Sequence, residues 1–439
     1  LNQAFEALEL KVEAKKLEGI AVLIHKAMTV QTRNYHNLEH VFSFVDASNP
    51  IQTLAGLYHD IVYYQVDQGF LREIQQIISP YIQLENGEFV IRPSAPDRWQ
   101  FDLAAQVFGW QRGQQVTLAA GLNEFLSALV MNEQIGDFVP GKALVKMDLC
   151  IEATIPFRGP ASDGRGYFDL LEERLREINR RWGFGMTSDE IEDTVRLALR
   201  VANTDVENFA ESDAAVFLEY TWKLLPEMNV PLRARNVYTI REYREALQRM
   251  EAFFSTVDPE VVFHRYKGMP PEGEFRQMVG RAYRNIETAW HYLRLKLLTQ
   301  ALLEALAEES GGDAPLSLFM GDLPVEDDTR RLENYLPAVA DPPWVDRSSI
   351  MLALMESGRT GNLGFYLNTA PLSLFLYRSL RPEEIEYGLA LSRQMFAGEL
   401  SASDFLRRLN PDVVSAVARA SAEMVFTRRE QLLRYAQSS

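Results

Sequence analysis

Six histidines are few in a chain of 439 residues, so their placement carries information. His36 and His40 stand four apart in Tyr35-His36-Asn37-Leu38-Glu39-His40. The spacing predicts both on one face of a helix over 35–47, with Cβ atoms about 5–6 Å apart. Further on, His59 and Asp60 adjoin inside the apolar run LAGLYHDIVYY, which predicts a helix over 51–65. A carboxylate beside an imidazole in such a setting is costly unless something pairs with it, and a metal cation is such a partner. Taken alone, His36 and His40 read as ordinary helix-face residues; with His59-Asp60 downstream, metal binding becomes the stronger reading.

YHNLEH followed by a helix bearing His-Asp resembles the HD superfamily of metal-dependent phosphohydrolases. It is most similar to the branch with a Y-H-N-x-x-H opening, which includes cyclic-nucleotide phosphodiesterases and small bacterial phosphohydrolases. Three later segments agree. Asn123-Glu124-Phe125-Leu126-Ser127-Ala128 resembles the branch's N-E-x-x-S-A helix, Ile151-Glu152-Ala153-Thr154 its I-x-A-T helix, and Ala202 to Asn208 the helix bringing the last metal-binding Asp. The likeness spans about 20–225, with insertions at 66–120 and 155–185.

The resemblance implies His40, His59, Asp60 and Asp205 as ligands of one divalent ion, and His36 as general acid to the leaving oxygen. Asp148, which also precedes an apolar helix, is the alternative last ligand. Glu124 is the expected base or orienting group for the attacking water, with a solvated helix residue as the competing reading. Two imidazoles and two carboxylates suit Mn, Fe, Ni, Co or Zn, and Mg less well. Such an ion lowers the pKa of a water and polarises a phosphoryl group, while an imidazole with a pKa near ~6.5 can donate a proton at neutral pH. The pattern also departs from the family. Phosphodiesterases typically place another His four residues after the His-Asp pair, where this chain has Tyr63 and Tyr64, and no His occurs between 61 and 204. The expectation is therefore a mononuclear site.

The elements that must hold these residues read as helices. A long amphipathic helix is predicted over 1–30, and Ser48-Asn49-Pro50 breaks the next two apart. At 80–92 two short alternating runs flank Asn86-Gly87, a strong hairpin signal. Thr187 and Glu190 form a capping-box pattern ahead of an apolar helix. More helices are expected over 100–158, 212–226, 239–255 and 274–308, with a loop marked by Pro156, Gly159, Pro160, Gly164 and Gly166.

The expected fold class is mostly α: an HD-domain helical bundle with a small inserted β-hairpin, plus an additional C-terminal helical region. The expected organisation is an HD phosphohydrolase-like domain over 1–230, a helical extension packed on it over 231–308, a Gly/Pro/Asp-rich linker over 309–345 and a helical C-terminal domain over 346–439.

A net charge of -16 argues against general nucleic-acid binding. A single cysteine, Cys150, excludes an internal disulfide framework, and no run approaches the ~20 apolar residues of a spanning helix. With no signal-peptide pattern, the expected location is cytoplasmic, without membrane association. Residues 231–300 carry twelve Arg/Lys against eight Asp/Glu, which reads as ordinary amphipathic helices. Arg33 reads as a surface residue rather than a phosphate contact, His25 as a packed helix residue, and the aromatics Trp290, Tyr292, Phe365 and Tyr366 as core. His264 and His291 receive no role.

The function expected from the resemblance is metal-dependent hydrolysis of a phosphomonoester or phosphodiester, in a small phosphorylated substrate such as a nucleotide. The alternative is a non-catalytic HD module that senses a nucleotide or scaffolds a protein partner. In either case the C-terminal helices are the expected surface for a homo-oligomer or protein partner.

Overall fold

The computed structural model describes residues 1–234, 237–321, 330–360 and 369–436. The protein is mostly α-helical with one small antiparallel sheet, as expected. Two compact units account for the described residues: 1–210 with 258–282, and 211–257 with 283–439.

The first unit opens with α1 (Asn2–Ala7) and α2 (Ala14–Met28) in place of one long helix. The break falls where Glu9 takes a left-handed backbone, φ 60°. Next come α3 (Leu38–Phe42), α4 (Pro50–Tyr58), α5 (Tyr64–Asp67) and α6 (Arg72–Ile78). The hairpin strands β1 (Ile82–Glu85) and β2 (Glu88–Ile91) follow, with Glu85 opposite Glu88. Asn86 and Gly87, at φ 53° and 86°, supply the two positive-φ residues this tight turn needs. After α7 (Trp99–Phe108), a short β3 (Gln115–Val116) pairs with β2, a strand too brief to show in the sequence.

Then come α8 (Leu122–Ile135), α9 (Gly141–Ala153), α10 (Tyr167–Trp182) and α11 (Ser188–Asp205). The Thr187 hydroxyl accepts from the Glu190 amide and the Glu190 carboxylate from the Thr187 amide, so the capping box starts α11 where the sequence places it. Helix α9 is buried at Leu144, Val145 and Met147 to Ala153, and α4, α7, α8 and α11 pack around it. Residues 258–282 return to this unit: Asn203 on α11 exchanges two hydrogen bonds with the His264 backbone, 2.9 and 3.0 Å, and the Tyr266 hydroxyl donates to Glu172.

The second unit contains α12 (Ala214–Met228), α13 (Ile240–Thr256) and the later residues of α14 (Glu272–Ser310), whose residues through Ala282 belong to the first unit. Further helices at Ile350–Ser357, Pro371–Ser379, Pro382–Phe396, Ala402–Arg408, Pro411–Met424 and Arg429–Tyr435 complete it. The division therefore differs from the expected boundaries at 230, 308 and 346. Trp222 stacks edge-on against Tyr292 at 5.4 Å, Arg244 bridges to Glu304 at 2.9 Å, and Leu298 and Leu302 line one cavity with Leu376 and Leu380. These contacts join α12, α13 and α14 to the C-terminal helices in one core. Within the expected linker, a helix at Leu316–Met320 packs against Pro411–Met424, and Leu316, Phe319 and Leu332 are buried. Local Gly and Pro content marked the irregular chain but not its burial.

Candidate metal centre

Four donor atoms from three chain segments converge in the first unit. The Asn37 side chain caps α3 by accepting from the Glu39 and His40 amides, which places His40 in the first turn. His59 is the residue that closes α4, Asp60 follows it, and Asp205 ends α11. The negative ends of two helix dipoles therefore point toward the cluster, a favourable setting for a cation.

His40 Nε2 and His59 Nε2 lie 3.2 Å apart. Asp60 Oδ2 is 3.3 Å from the first and 3.1 Å from the second, and Asp205 Oδ1 is 3.2 and 3.4 Å from them. Metal–ligand bonds of about 2.1 Å place neighbouring donors about 3.0–3.4 Å apart, so the three spacings among His40, His59 and Asp205 match a shared ion. His40, His59 and Asp205 form a group that could hold a metal ion.

The donor chemistry fits as well. His59 Nδ1 lies 2.7 Å from the Gly56 carbonyl, which only accepts, so Nδ1 carries the hydrogen and a neutral ring turns its Nε2 lone pair to the cluster. Asp60 Oδ2 is buried and faces the two ring nitrogens, a costly arrangement without a positive charge at the centre. In the metal-free protein protons supply that charge. Burial works to lower the His40 pKa, but hydrogen bonds and charge from Asp205 and Asp60 outweigh it and hold the ring at about 9. His59 is raised in the same way, against its burial, chiefly by the Asp60 charge. Asp60 and Asp205 lie below the usual carboxylate range: burial would raise both, and the two imidazoles overcome it.

The structure groups His40, His59 and Asp205, with Asp60 facing the two imidazoles but outside that group, and it corrects their local setting. His36 precedes α3 in irregular chain, so His36 and His40 do not share a helix face; their rings still meet at 5.5 Å, and Tyr63 stands edge-on to His36 at 4.6 Å. His59-Asp60 stands at a helix end, because the turn there frees Asp60 to face the ring nitrogens. Asp148 is absent from the cluster: it lies inside α9, where its Oδ2 accepts from Asn132 Nδ2 at 2.8 Å and burial pushes its pKa well up. Glu124 stands close enough to Asp60 and Asp205 to feel their charge. Burial first, then those two carboxylates, raise it to about 7, and its Oε2 is buried without a hydrogen-bond partner.

Other expectations change too. Arg33 is buried, pairs with Asp67 through two bonds of 2.9 and 2.6 Å, and donates Nη1 to the Asp60 carbonyl at 2.6 Å. It braces the His59-Asp60 turn and is neither a surface residue nor a phosphate contact. His25 lies exposed on α2, His291 is exposed in the second unit, Tyr292 is core, Trp290 is part-buried with its Nε1 donating to Glu251, and Phe365 and Tyr366 fall outside the described residues.

Several positioning residues carried little sequence signal. Asn123 Oδ1 and Ser127 Oγ on α8 accept from the amides of Tyr64 and Val62, fixing the chain just after Asp60. Gly56 lets α4 approach Phe44 so closely that a Cβ would overlap the Phe44 side chain. The Phe44 ring in turn lies 4.6 Å from His59 and 5.5 Å from His40. Only the Asn and Ser of the N-E-x-x-S-A segment could have hinted at this framework. No helix among the described residues is long and apolar enough to cross a membrane. No protein-family model, curated protein or solved structure matches the chain.

Proposed function

We propose that the first unit is an HD-type, metal-dependent phosphohydrolase acting on a phosphomonoester or phosphodiester of a small molecule such as a nucleotide. The observation that carries the reading is a pair of imidazole nitrogens 3.2 Å apart, each with a carboxylate oxygen of Asp60 and of Asp205 at 3.1–3.4 Å. His40, His59, Asp60 and Asp205 would hold one divalent ion from the Mn, Fe, Ni, Co, Zn or Mg series. When bound, such an ion supplies Lewis acidity to a phosphoryl oxygen and a water of lowered pKa.

The remaining work falls to the chain. His36, beside the ligands but outside their cluster, delivers the proton that the leaving oxygen needs. Glu124, buried and poised near neutrality, orients the water and accepts its proton. Arg33, Asn123 and Ser127 keep the turn that carries Asp60 in place.

The test is release of p-nitrophenol from mono- and bis-(p-nitrophenyl) phosphate by protein loaded in turn with each metal. His36→Ala is expected to keep its metal and lose turnover by about 10²–10⁴-fold. Turnover absent with every metal, or unchanged in His36→Ala, would refute the assignment.

A further inference from the structure

An active site for phosphate esters needs positive charge beyond the ion, because the ester's other oxygens stay anionic. Residues 155–158 follow α9 and lie between the two elements flanking the cluster. Ile155 packs so closely on Gly121 that a Cβ there would overlap it, and that same Cβ position lies 3.5 Å from Glu124 Oε2. Phe157 meets Phe209 edge-on at 5.7 Å, four residues beyond Asp205. Arg158 follows directly in this segment, and its charge opposes the rise in the Glu124 pKa.

The local backbone is unusual. Phe157 has φ 58°, a left-handed conformation uncommon for a bulky residue, and such conformers cluster at sites where the surrounding structure fixes them. Here the Phe209 contact and the Arg158 anchor hold it.

Arg158 Nη1 bonds Glu152 at 2.8 Å and also meets the Tyr167 hydroxyl, while Arg174 reaches the same Glu152 oxygen at 3.1 Å. Two guanidinium groups thus share the one Glu152 carboxylate, and the Glu124 carboxylate is the further acid near Arg158, so no positive charge is left over from these four groups. His264, whose ring stacks near Tyr167 and Phe168, adds none: burial and then the Arg158 charge push it down to about 4. The Nε and Nη2 atoms of Arg158 make no hydrogen bond among the described residues, and the side chain keeps 22% of its exposure. A guanidinium held by one nitrogen, with an adjacent pair of donors left over, is the fork that binds two phosphate oxygens.

We propose that Arg158, fixed by Glu152 and Tyr167, is the anion-binding residue of this site and holds the non-bridging oxygens of the substrate's phosphate. This rests on the phosphohydrolase reading above and deepens it. The substrate class that follows is a phosphate ester carrying net negative charge, rather than a neutral ester or amide.

The experiment is calorimetric titration of inorganic phosphate into the full chain loaded with Mn, for wild type, Arg158→Gln and Arg158→Lys, with metal content measured in each. The expected result is unchanged metal content, with phosphate affinity about ten- to a hundredfold weaker in Arg158→Gln and a smaller loss in Arg158→Lys, which keeps the charge but not the fork. Should Arg158→Gln fail to fold, Arg158→Lys decides alone. Phosphate binding within twofold of wild type in the folded variants overturns the role of Arg158 and leaves the hydrolase reading standing. A metal-loaded wild type that binds no phosphate overturns both.

Discussion

Removing the metal should make the first unit's stability depend steeply on alkaline pH. In the metal-free protein the His40 pKa stands at about 9 against an ordinary 6.5. A raised folded pKa contributes stability that is complete below the unfolded value and is lost as pH climbs through the folded one. At about 1.36 kcal/mol per pH unit, the span from 6.5 to about 9 is worth roughly 3 kcal/mol. The lowered pKa values of Asp60 and Asp205 describe the same ion pairs and are not counted again. Glu124, raised to about 7, loses its own contribution mostly below pH 7 and so lies outside this window. The assay is urea unfolding, followed by circular dichroism between pH 7 and 9, with and without a saturating divalent ion. With chelator, stability should fall by about 2–3 kcal/mol across that range. With the ion, which takes the place of the protons, the fall should vanish, and His40→Gln should make the chelated profile shallower, leaving the share of His59. Identical slopes with and without the ion would refute the reasoning.

Two substitutions probe the framework. Gly56→Ala inserts a methyl against Phe44, which should cost about 1–3 kcal/mol in thermal unfolding and weaken metal binding by spreading His40 and His59; retention of both would show that the close approach of α4 is not needed. Arg33→Met strands the buried Asp67 carboxylate and frees the Asp60 carbonyl, for an expected loss of about 3–5 kcal/mol. Adding Asp67→Leu should restore most of the stability but not the metal affinity, since the brace on Asp60 stays absent.

The residues with distinctive chemistry were legible in the sequence, and their surroundings were not. His40, His59, Asp60 and Asp205 were found through a short motif and its ordered echoes, and Asn86-Gly87 gave the hairpin because only a few residue pairs tolerate that turn. Helix ends were harder to place. Periodicity carried the first helix across residues 8–13 and put His36 on a helix, yet Glu9 and the Asn37 cap interrupt the chain at both places. Arg33 looked exposed because nothing local marks Asp67 as its partner, 34 residues away. The return of 258–282 to the first unit depends on Asn203 meeting His264, a contact 61 residues apart that leaves no local pattern. Asp148 and Asp205 both stand on helices with apolar faces, and only tertiary packing separates a core carboxyl from one that meets two imidazoles.

Metal content by elemental mass spectrometry tests the central claim most directly, on wild type, Asp60→Ala and Asp148→Asn after loading with Mn, Fe, Ni, Co or Zn. The account predicts about one equivalent in wild type and in Asp148→Asn, and its loss in Asp60→Ala. No metal in wild type, or full retention in Asp60→Ala, would contradict it.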